Sequence, residues 1–189
     1  SLRRKTDVIY NGIHIEEIER LPKKEIRSRL GILPTDKLIG SVGIIHPAKG
    51  QDILIRAAAR IRSVFPAVKV LLIGDVFHPD DRGYKIKLEK LAAELGIMDN
   101  IIFSGFRSDV FAWLQALDVF VHPAVFQDPL PRTLLEAAAF GKAIVATNTG
   151  ATVNALYYGD GTTFTAVSWT APQLPDIGFI DVAQDSSSS

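Results

Sequence analysis

The feature that most constrains the fold is an alternation, from Lys37 to Gly150, of short apolar runs with longer segments of helical periodicity. Apolar runs rich in β-branched residues predict buried strands at LIGSVGII, VKVLLIGDV, NIIFSGF, DVFVHPA and AIVAT. Between them, QDILIRAAARIRSV, YKIKLEKLAAELGI, SDVFAWLQAL and PRTLLEAAAFG predict helices. Strands that are apolar along their whole length indicate a parallel sheet covered on both faces. We therefore predict an α/β fold with a doubly wound parallel sheet, Rossmann-like in architecture.

Composition divides the chain into three parts. Residues 1–36 contain the amphipathic stretch IEEIERLPKKEIRSRLG and are predicted to be a helical lead-in or interdomain segment. Residues 37–154 carry the alternating pattern and form the predicted domain. No lysine or arginine follows Lys142, and the chain closes on four serines. Residues 155–189 are therefore predicted to be an atypical tail that is β-leaning and partly disordered.

The overall composition argues against several classes of protein for this chain. A formal net charge of +0 gives no general reason to expect nucleic acid or an anionic membrane as a partner. The absence of cysteine excludes disulfides and thiolate metal sites, and it fits a cytoplasmic location. No apolar run approaches the roughly 20 residues that span a bilayer. The N-terminus lacks the apolar core of a signal peptide.

In a doubly wound sheet, ligands bind outside the carboxyl ends of the strands. The loop GIIHPAKGQ after the first predicted strand places Lys49 just before a helix, where it would add charge to backbone amides that favour phosphate. A solvent-exposed lysine is the commoner alternative. The chain has neither a P-loop nor a G-x-G-x-x-G after that strand, so a dinucleotide-dependent dehydrogenase is disfavoured.

The segment QDPLPRTLLEAAAFG places Asp128 ahead of a predicted helix and Glu136 about one turn inside it. Carboxylates can accept hydrogen bonds from a vicinal diol, and the free amides near residues 130–133 could bind an anion. Together these groups suit a phosphorylated sugar. The alternative is that both acids are ordinary features of a helix start and its surface, although the apolar neighbours of Glu136 favour a partner for its carboxylate.

The order VIYNGI, SVG…KGQDILI, LLIGD, IIFSGFRSDV, DVFVHPA and DPLPRTLLEAAAFGKAIVAT resembles the donor-binding C-terminal half of the family-4 retaining glycosyltransferases, which have the GT-B architecture. The resemblance covers roughly Val8 to Asn154. It implies a nucleoside diphosphate sugar such as a UDP- or GDP-sugar as donor, and neither cofactor nor metal. It also implies an N-terminal acceptor-binding domain outside this chain. The parent enzyme would be a hexosyltransferase in polysaccharide or glycolipid synthesis, associated peripherally with the cytoplasmic face of a membrane.

Within this resemblance, each motif implies a role by position. Asp128 and Glu136 match the two acids of an E-x7-E motif and are the implied catalytic residues, the first contacting the donor sugar and the second the ribose. The remaining nucleotide-sugar-binding residues implied are Gly43, Lys49, Phe106, Arg107, Leu130, Pro131, Arg132 and Thr133. Lys49 would contact the diphosphate, the backbone of 130–133 the sugar and phosphates, and the loop of Phe106 and Arg107 the nucleobase.

Three departures from the family pattern bear on function. The first acid is aspartate rather than glutamate, Ile44 stands where the family usually has an arginine, and Asn154 falls where a glutamate is usual. Loss of a charge-assisted hydrogen bond from an arginine would cost about 1.5–3 kcal/mol, which is roughly ten- to a hundredfold in affinity. Two alternatives stay open: a nucleotide-sugar epimerase of the same architecture, and a degenerate, non-catalytic donor domain. Because the acceptor domain is not in this chain, we expect the chain alone to bind donor at best and to be inactive in transfer.

Overall fold

The computed structural model describes residues 25–126 and 131–147, and the backbone of two further strands, 155–159 and 164–168. Within these residues the helices are α1 (Ile26–Arg29), α2 (Gln51–Val64), α3 (Arg82–Glu94), α4 (Val110–Ala116) and α5 (Arg132–Ala139). The strands are β1 (Lys37–Val42), β2 (Val68–Ile73), β3 (Ile101–Gly105), β4 (Val119–His122), β5 (Ala143–Ala146), β6 (Ala155–Gly159) and β7 (Phe164–Ser168).

The strands form one sheet in the order β3-β2-β1-β4-β5-β6-β7. All pairs from β3 to β5 are parallel, and β6 and β7 continue the sheet in antiparallel pairing. The chain winds outward from β1 to β3 and then returns to place β4 on the other side of β1. The strand order therefore reverses between β1 and β4, where such sheets bind ligands. The predicted doubly wound parallel sheet is confirmed.

The core has two halves, one on each face of the sheet. Successive residues of β2 alternate between them: Val70 and Leu72 pack with α2 and α3, whereas Leu71 and Ile73 pack with α1, α4 and α5. This alternation is the period of two expected of a strand. Since both faces are covered, the strands have to be apolar along their length, which is the pattern that predicted the fold.

Several predicted boundaries differ from the observed ones by a few residues. The first predicted strand ran to Ile45, but β1 ends at Val42 because the chain turns at Gly43, whose φ is +156°. Gly96 and Gly141 follow α3 and α5 with φ of +67° and +61°, the left-handed conformation that ends helices. Of the lead-in helix predicted over 15–31, the described part forms only the four residues of α1.

Helix α1 is tied to the start of the sheet through Arg27. Its guanidinium donates to the carbonyl of Ala116 at 3.0 Å and to Asp118 Oδ2 at 3.0 Å, and further to the carbonyls of Leu33 and Asp36. The same Asp118 oxygen accepts from the backbone N–H of Leu38 at 2.7 Å. These contacts lie at the amino ends of β1 and β4, opposite the edge where sheets of this architecture bind ligands.

The last two strands lie beyond residue 154, where the sequence predicted a change of domain. Strand β6 pairs with β5 and β7 pairs with β6, so the sheet itself extends into the predicted tail. The proposed domain limits at 36 and 154 remain predictions. In the part of the chain that the structure describes, no helix is long and apolar enough to cross a membrane.

Candidate functional site

The loops after β1 and β4 meet at the point where the strand order reverses. The carbonyl of Ala48 accepts from the backbone N–H of Val125 at 3.0 Å. Gly50 has φ of +64°, and a Cβ placed there would lie 2.0 Å from the carbonyl oxygen of Pro123. Only glycine permits both that conformation and that approach. The two loops therefore form one continuous wall beside the crevice between β1 and β4.

The carboxyl ends of β1, β2 and β3 are joined by direct backbone contacts. The N–H of Gly43 donates to Ile73 O at 3.0 Å, and the N–H of Gly74 donates to Gly105 O at 3.1 Å. A Cβ at Gly74 would fall 2.0 Å from Gly43 O, and Gly74 has φ of +136°. This packing fixes the relative height of the three loops that leave these strands.

Lys49 and Gly43, both predicted site residues, are brought together in the first of these loops. A Cβ built on Gly43 would lie 4.0 Å from Lys49 Cδ, so the lysine stem passes over the glycine. Lys49 ends a short 3-10 turn, Pro47–Lys49, that is capped by His46 Nδ1 accepting from Ala48 N at 3.1 Å. The turn holds Lys49 at the start of α2, next to the β1–β4 crevice.

Gln51 holds the main chain of this loop through a side-chain hydrogen bond, and no sequence pattern predicted that role. The side chain is 2% exposed, and its Nε2 donates to the carbonyl of Ile44 at 2.8 Å. Its Oε1 is buried and has no hydrogen-bond partner among the described residues. A glutamine in the first turn of a helix is normally solvated, so only the folded loop reveals that its amide holds the main chain before Lys49.

Glu136 is the buried acid of the site. It lies on α5 and is 7% exposed, among the apolar residues Leu134 and Ala137. Its Oε1 lies 3.9 Å from Arg132 Nη2, one turn earlier on the helix. Burial raises the pKa of the Glu136 carboxyl, and the nearby charge of Arg132 opposes that rise. A carboxylate held in such surroundings is poised to accept hydrogen bonds from a ligand.

Among the described residues, no side chain caps the N-terminus of α5. Pro131 occupies the N-cap position, is buried and provides no capping hydrogen bond, while Arg132 is exposed and Thr133 half-buried. The first backbone amides of α5 therefore have no side-chain acceptor from the N-cap residue, an arrangement that favours an anion. Two predicted residues, Asp128 and Leu130, lie outside the described residues.

Phe106 and Arg107 leave the end of β3, at the same edge of the sheet but further along it. Phe106 is 79% exposed. The Arg107 guanidinium lies over the Trp113 ring, 4.2 Å from its centroid, and its Nε is buried without a hydrogen-bond partner among the described residues. Strand β3 is two places from β1, which puts this loop about 10 Å from that of Lys49. The predicted residues are thus spread along this edge of the sheet rather than gathered in one tight cluster.

The loop after β2 lies between these two regions and contributes an acid. Asp75 Oδ1 lies 3.3 Å from Lys85 Nζ and accepts from the N–H of Val76 at 2.9 Å. That backbone hydrogen bond, helped by Lys85, lowers the pKa of the Asp75 carboxyl. Across the described residues, no group of three or more His, Cys, Asp or Glu side chains could hold a metal ion.

The glycosyl transferases group 1 family model matches residues 22–169. Among known proteins, the chain is 30% identical over 145 residues to the lipopolysaccharide core biosynthesis mannosyltransferase LpsB of Rhizobium meliloti, a match covering 76% of this chain and 41% of that protein. It is also 30% identical to the D-inositol 3-phosphate glycosyltransferase of Mycobacterium ulcerans over 76% of this chain and 30% of that protein. The chain spans about two-fifths of the first of these relatives and less of the second.

Two solved structures share this fold. HepE of Anabaena in complex with UDP superposes with a TM-score of 0.71 at 31% identity, over 78% of this chain and 40% of that one. The C-terminal domain of LpcC, a glycosyl transferase group 1 family protein from Francisella tularensis, superposes with a TM-score of 0.63 at 27% identity, over 74% of this chain and 72% of that domain. The chain belongs to the glycosyl transferases group 1 family, a family of transferases, and the predicted fold relationship is confirmed.

Proposed function

We propose that this chain is the donor-binding part of a retaining glycosyltransferase whose donor is a nucleoside diphosphate sugar. The observation that carries the proposal is the buried carboxylate of Glu136 on α5, the helix that follows β4 and whose N-cap residue, Pro131, provides no capping hydrogen bond. Family membership supports sugar transfer. The UDP and UDP-glucose complexes of Anabaena HepE support a nucleotide-sugar ligand.

The elongated shape of the site suits this ligand. The diphosphate would lie against Lys49, Gly43 and the first amides of α5, with the ribose hydroxyls on Glu136. The base would extend about two strand spacings, roughly 10 Å, toward Phe106 and Arg107. Asp128 would contact the sugar, and the backbone of Leu130, Pro131, Arg132 and Thr133 would line the phosphates.

In the parent reaction, the bond between the anomeric carbon and the diphosphate oxygen breaks, a bond to an acceptor hydroxyl oxygen forms with the same anomeric configuration, and the hydroxyl proton passes to the leaving diphosphate. Lys49 and the α5 amides would stabilise the charge that develops on the leaving diphosphate. The proposal also includes an acceptor domain outside this chain and specificity for a hexosyl donor. It further includes a cytoplasmic location with peripheral membrane association, and independence from metal or cofactor. The chain alone would hold donor without transferring it.

The first experiment is calorimetric titration of the 189-residue chain with UDP, GDP and ADP, with Glu136→Ala in parallel. The expected result is saturable binding of one nucleotide that weakens at least tenfold in the variant, since the ribose loses charge-assisted hydrogen bonds. Asp128→Asn should leave binding of that diphosphate unchanged and weaken only the corresponding diphosphate sugar. Failure of all three nucleotides to bind at millimolar concentration would contradict the proposal.

Ile44 favours a second candidate, a donor domain that has lost catalysis and serves assembly or regulation. The residue exposes 42% of its surface in the loop before Lys49, where the family resemblance implies an arginine. An apolar side chain cannot donate to phosphate. The absence of nucleotide binding in the titration, with a cooperatively folded chain, would be the result expected of this candidate.

A further inference from the structure

Arg132 and Glu136 form an unequal pair. The separation of 3.9 Å between Arg132 Nη2 and Glu136 Oε1 is too long for a hydrogen bond. The arginine side chain is 66% exposed, while that of Glu136 is 9% exposed. A buried carboxylate thus depends on a solvated cation that touches it only through charge.

The energies of the two partners differ accordingly. Arg132 is exposed and makes no hydrogen bond to Glu136, so the arginine itself is weakly held, and it can leave once other groups satisfy the buried carboxylate. Glu136 loses its hydration on burial and gains most from true hydrogen bonds. Within the described residues, Arg132 is the sole side-chain partner that the geometry gives to the carboxylate. Arg132 is therefore weakly held in the pair, and the Glu136 carboxylate still lacks hydrogen-bond donors.

Two other cations at this edge of the sheet, Lys85 and Arg107, are engaged with neighbouring side chains. Lys85 lies 3.3 Å from Asp75, with its Nζ 5.9 Å from the Phe103 ring centroid. Arg107 stacks on Trp113. Lys49 supplies one charge beside the crevice, whereas a diphosphate brings a negative charge on each phosphate. A second cation that is exposed and weakly held would complete the balance.

Resting on the proposed function, we propose that Arg132 is an exchangeable counter-ion, which neutralises Glu136 in the empty site and moves to the donor's diphosphate when the ribose hydroxyls take over the carboxylate. Arg132 is the first residue of α5, and helical side chains incline toward the N-terminus, which is where the phosphates would lie. Its planar fork matches phosphate oxygens bidentately. The side chain would thereby supply the guanidinium that Ile44 cannot.

The exchange predicts opposite effects on ligands with and without phosphates. We would titrate the chain and its Arg132→Gln variant with UDP and with uridine, using NMR to follow weak binding. If calorimetry shows binding of another diphosphate, that nucleotide and its nucleoside replace the pair. UDP should bind about tenfold more weakly to the variant, since a charge-assisted contact is lost. Uridine should bind at least as well as before, because it no longer competes with the arginine for Glu136.

Arg132→Lys should fall between the two proteins, since it keeps the charge and loses the fork. Arg29→Gln is the matched control: Arg29 is an exposed arginine on α1, the helix that Arg27 ties to the opposite edge of the sheet, and it should change neither affinity. Urea unfolding of each variant checks that the fold is intact.

The outcomes separate the two proposals. If the unmodified chain binds no nucleoside diphosphate, the proposed function fails and the exchange fails with it. If it binds UDP and Arg132→Gln binds equally well, only the exchange is wrong. Equal losses for UDP and uridine would mean that Arg132 merely holds Glu136 in place, which also overturns the exchange.

Discussion

At the scale of single residues, the candidate site contains a carboxylate whose burial is energetically unfavourable. Glu136 is buried on an apolar helix and makes no hydrogen bond that would offset its lost hydration within the described residues. The sequence indicated this tension, because a glutamate beside Leu135 and Ala137 interrupts the most apolar helix of the chain. The pairing with Arg132 could not be foreseen, since a spacing of four residues on a helix permits an ion pair without requiring one.

Replacing Glu136 by glutamine should stabilise the fold while weakening the site. The folded-state pKa of Glu136 lies above its ordinary value of 4.5, so the folded chain binds this proton more tightly than the unfolded chain. The free energy of unfolding therefore falls as pH rises between these two pKa values. We expect Glu136→Gln to be about 1 kcal/mol more stable at pH 7, with the difference shrinking toward pH 4.

Urea unfolding between pH 4 and pH 8 measures this difference, with Glu94→Gln as the control because Glu94 is exposed on α3. The control should track the unmodified chain across the range. A Glu136→Gln variant that is less stable at neutral pH would show that the carboxylate has stabilising partners and is not held for a ligand.

Replacing Lys49 by alanine should weaken nucleoside diphosphate binding about tenfold, as expected when one charge-assisted contact to phosphate is removed. Lys37→Ala is a matched control, because Lys37 is exposed at the other end of β1, the strand that leads to Lys49. Calorimetry should show an unchanged affinity for the control. Equal affinities for both variants would place the phosphates away from the β1 loop.

At the scale of elements, the loops keep their shape through backbone contacts that no side chain could replace. Glycines in the loops after β1, β2 and β3 were visible in the sequence, but glycine alone is weak evidence of a site. The structure separates their roles: Gly74 allows the β2 loop to touch that of β1, and Gly50 allows the β1 loop to touch that of β4. Gln51 then fixes the main chain between them through Ile44.

Gly74→Ala and Gly83→Ala should shift stability in opposite directions. At Gly74 the new Cβ would meet Gly43 O at 2.0 Å in a conformation that other residues rarely adopt, so we expect a loss of about 2–4 kcal/mol. At Gly83, in the first turn of α3, a Cβ meets nothing within 4 Å, and alanine should add about 0.5–1 kcal/mol. Chemical denaturation of both variants tests the pair, and a tolerated Gly74→Ala would mean that the loops are not in contact.

At the scale of the whole molecule, the period of the apolar runs was enough to predict the sheet and both of its covered faces. It did not predict the end of β1, because the turn at Gly43 depends on contacts with β2. It also did not predict that β6 and β7 continue the sheet. No helical periodicity separates these two strands in the sequence, so they fall outside the strand–helix alternation from which the other strands were predicted. The stack of Arg107 on Trp113 joins a loop to the next helix, and only the folded chain reveals it.

A bound nucleoside diphosphate should raise the melting temperature of the whole chain. At a hundredfold excess over Kd, binding to the folded state alone contributes about 2.7 kcal/mol, which corresponds to roughly 5–10 °C for a chain of this size. Differential scanning fluorimetry with UDP, GDP and ADP measures the shift, and Glu136→Ala should reduce it. A shift that persists undiminished in Glu136→Ala would place the ligand elsewhere on the molecule.

The contacts of Arg27 determine where this sheet can be separated from what comes before it. A fragment that starts at Lys37 would keep β1 to β7, yet it would leave Asp118 facing the N–H of Leu38 without its counter-ion and would uncover the core beneath Ile26, which is 1% exposed. A fragment of this sheet grafted into another protein should therefore include at least the chain from Glu25 onward. The short helix before the first strand is an indispensable part of any transferable fragment.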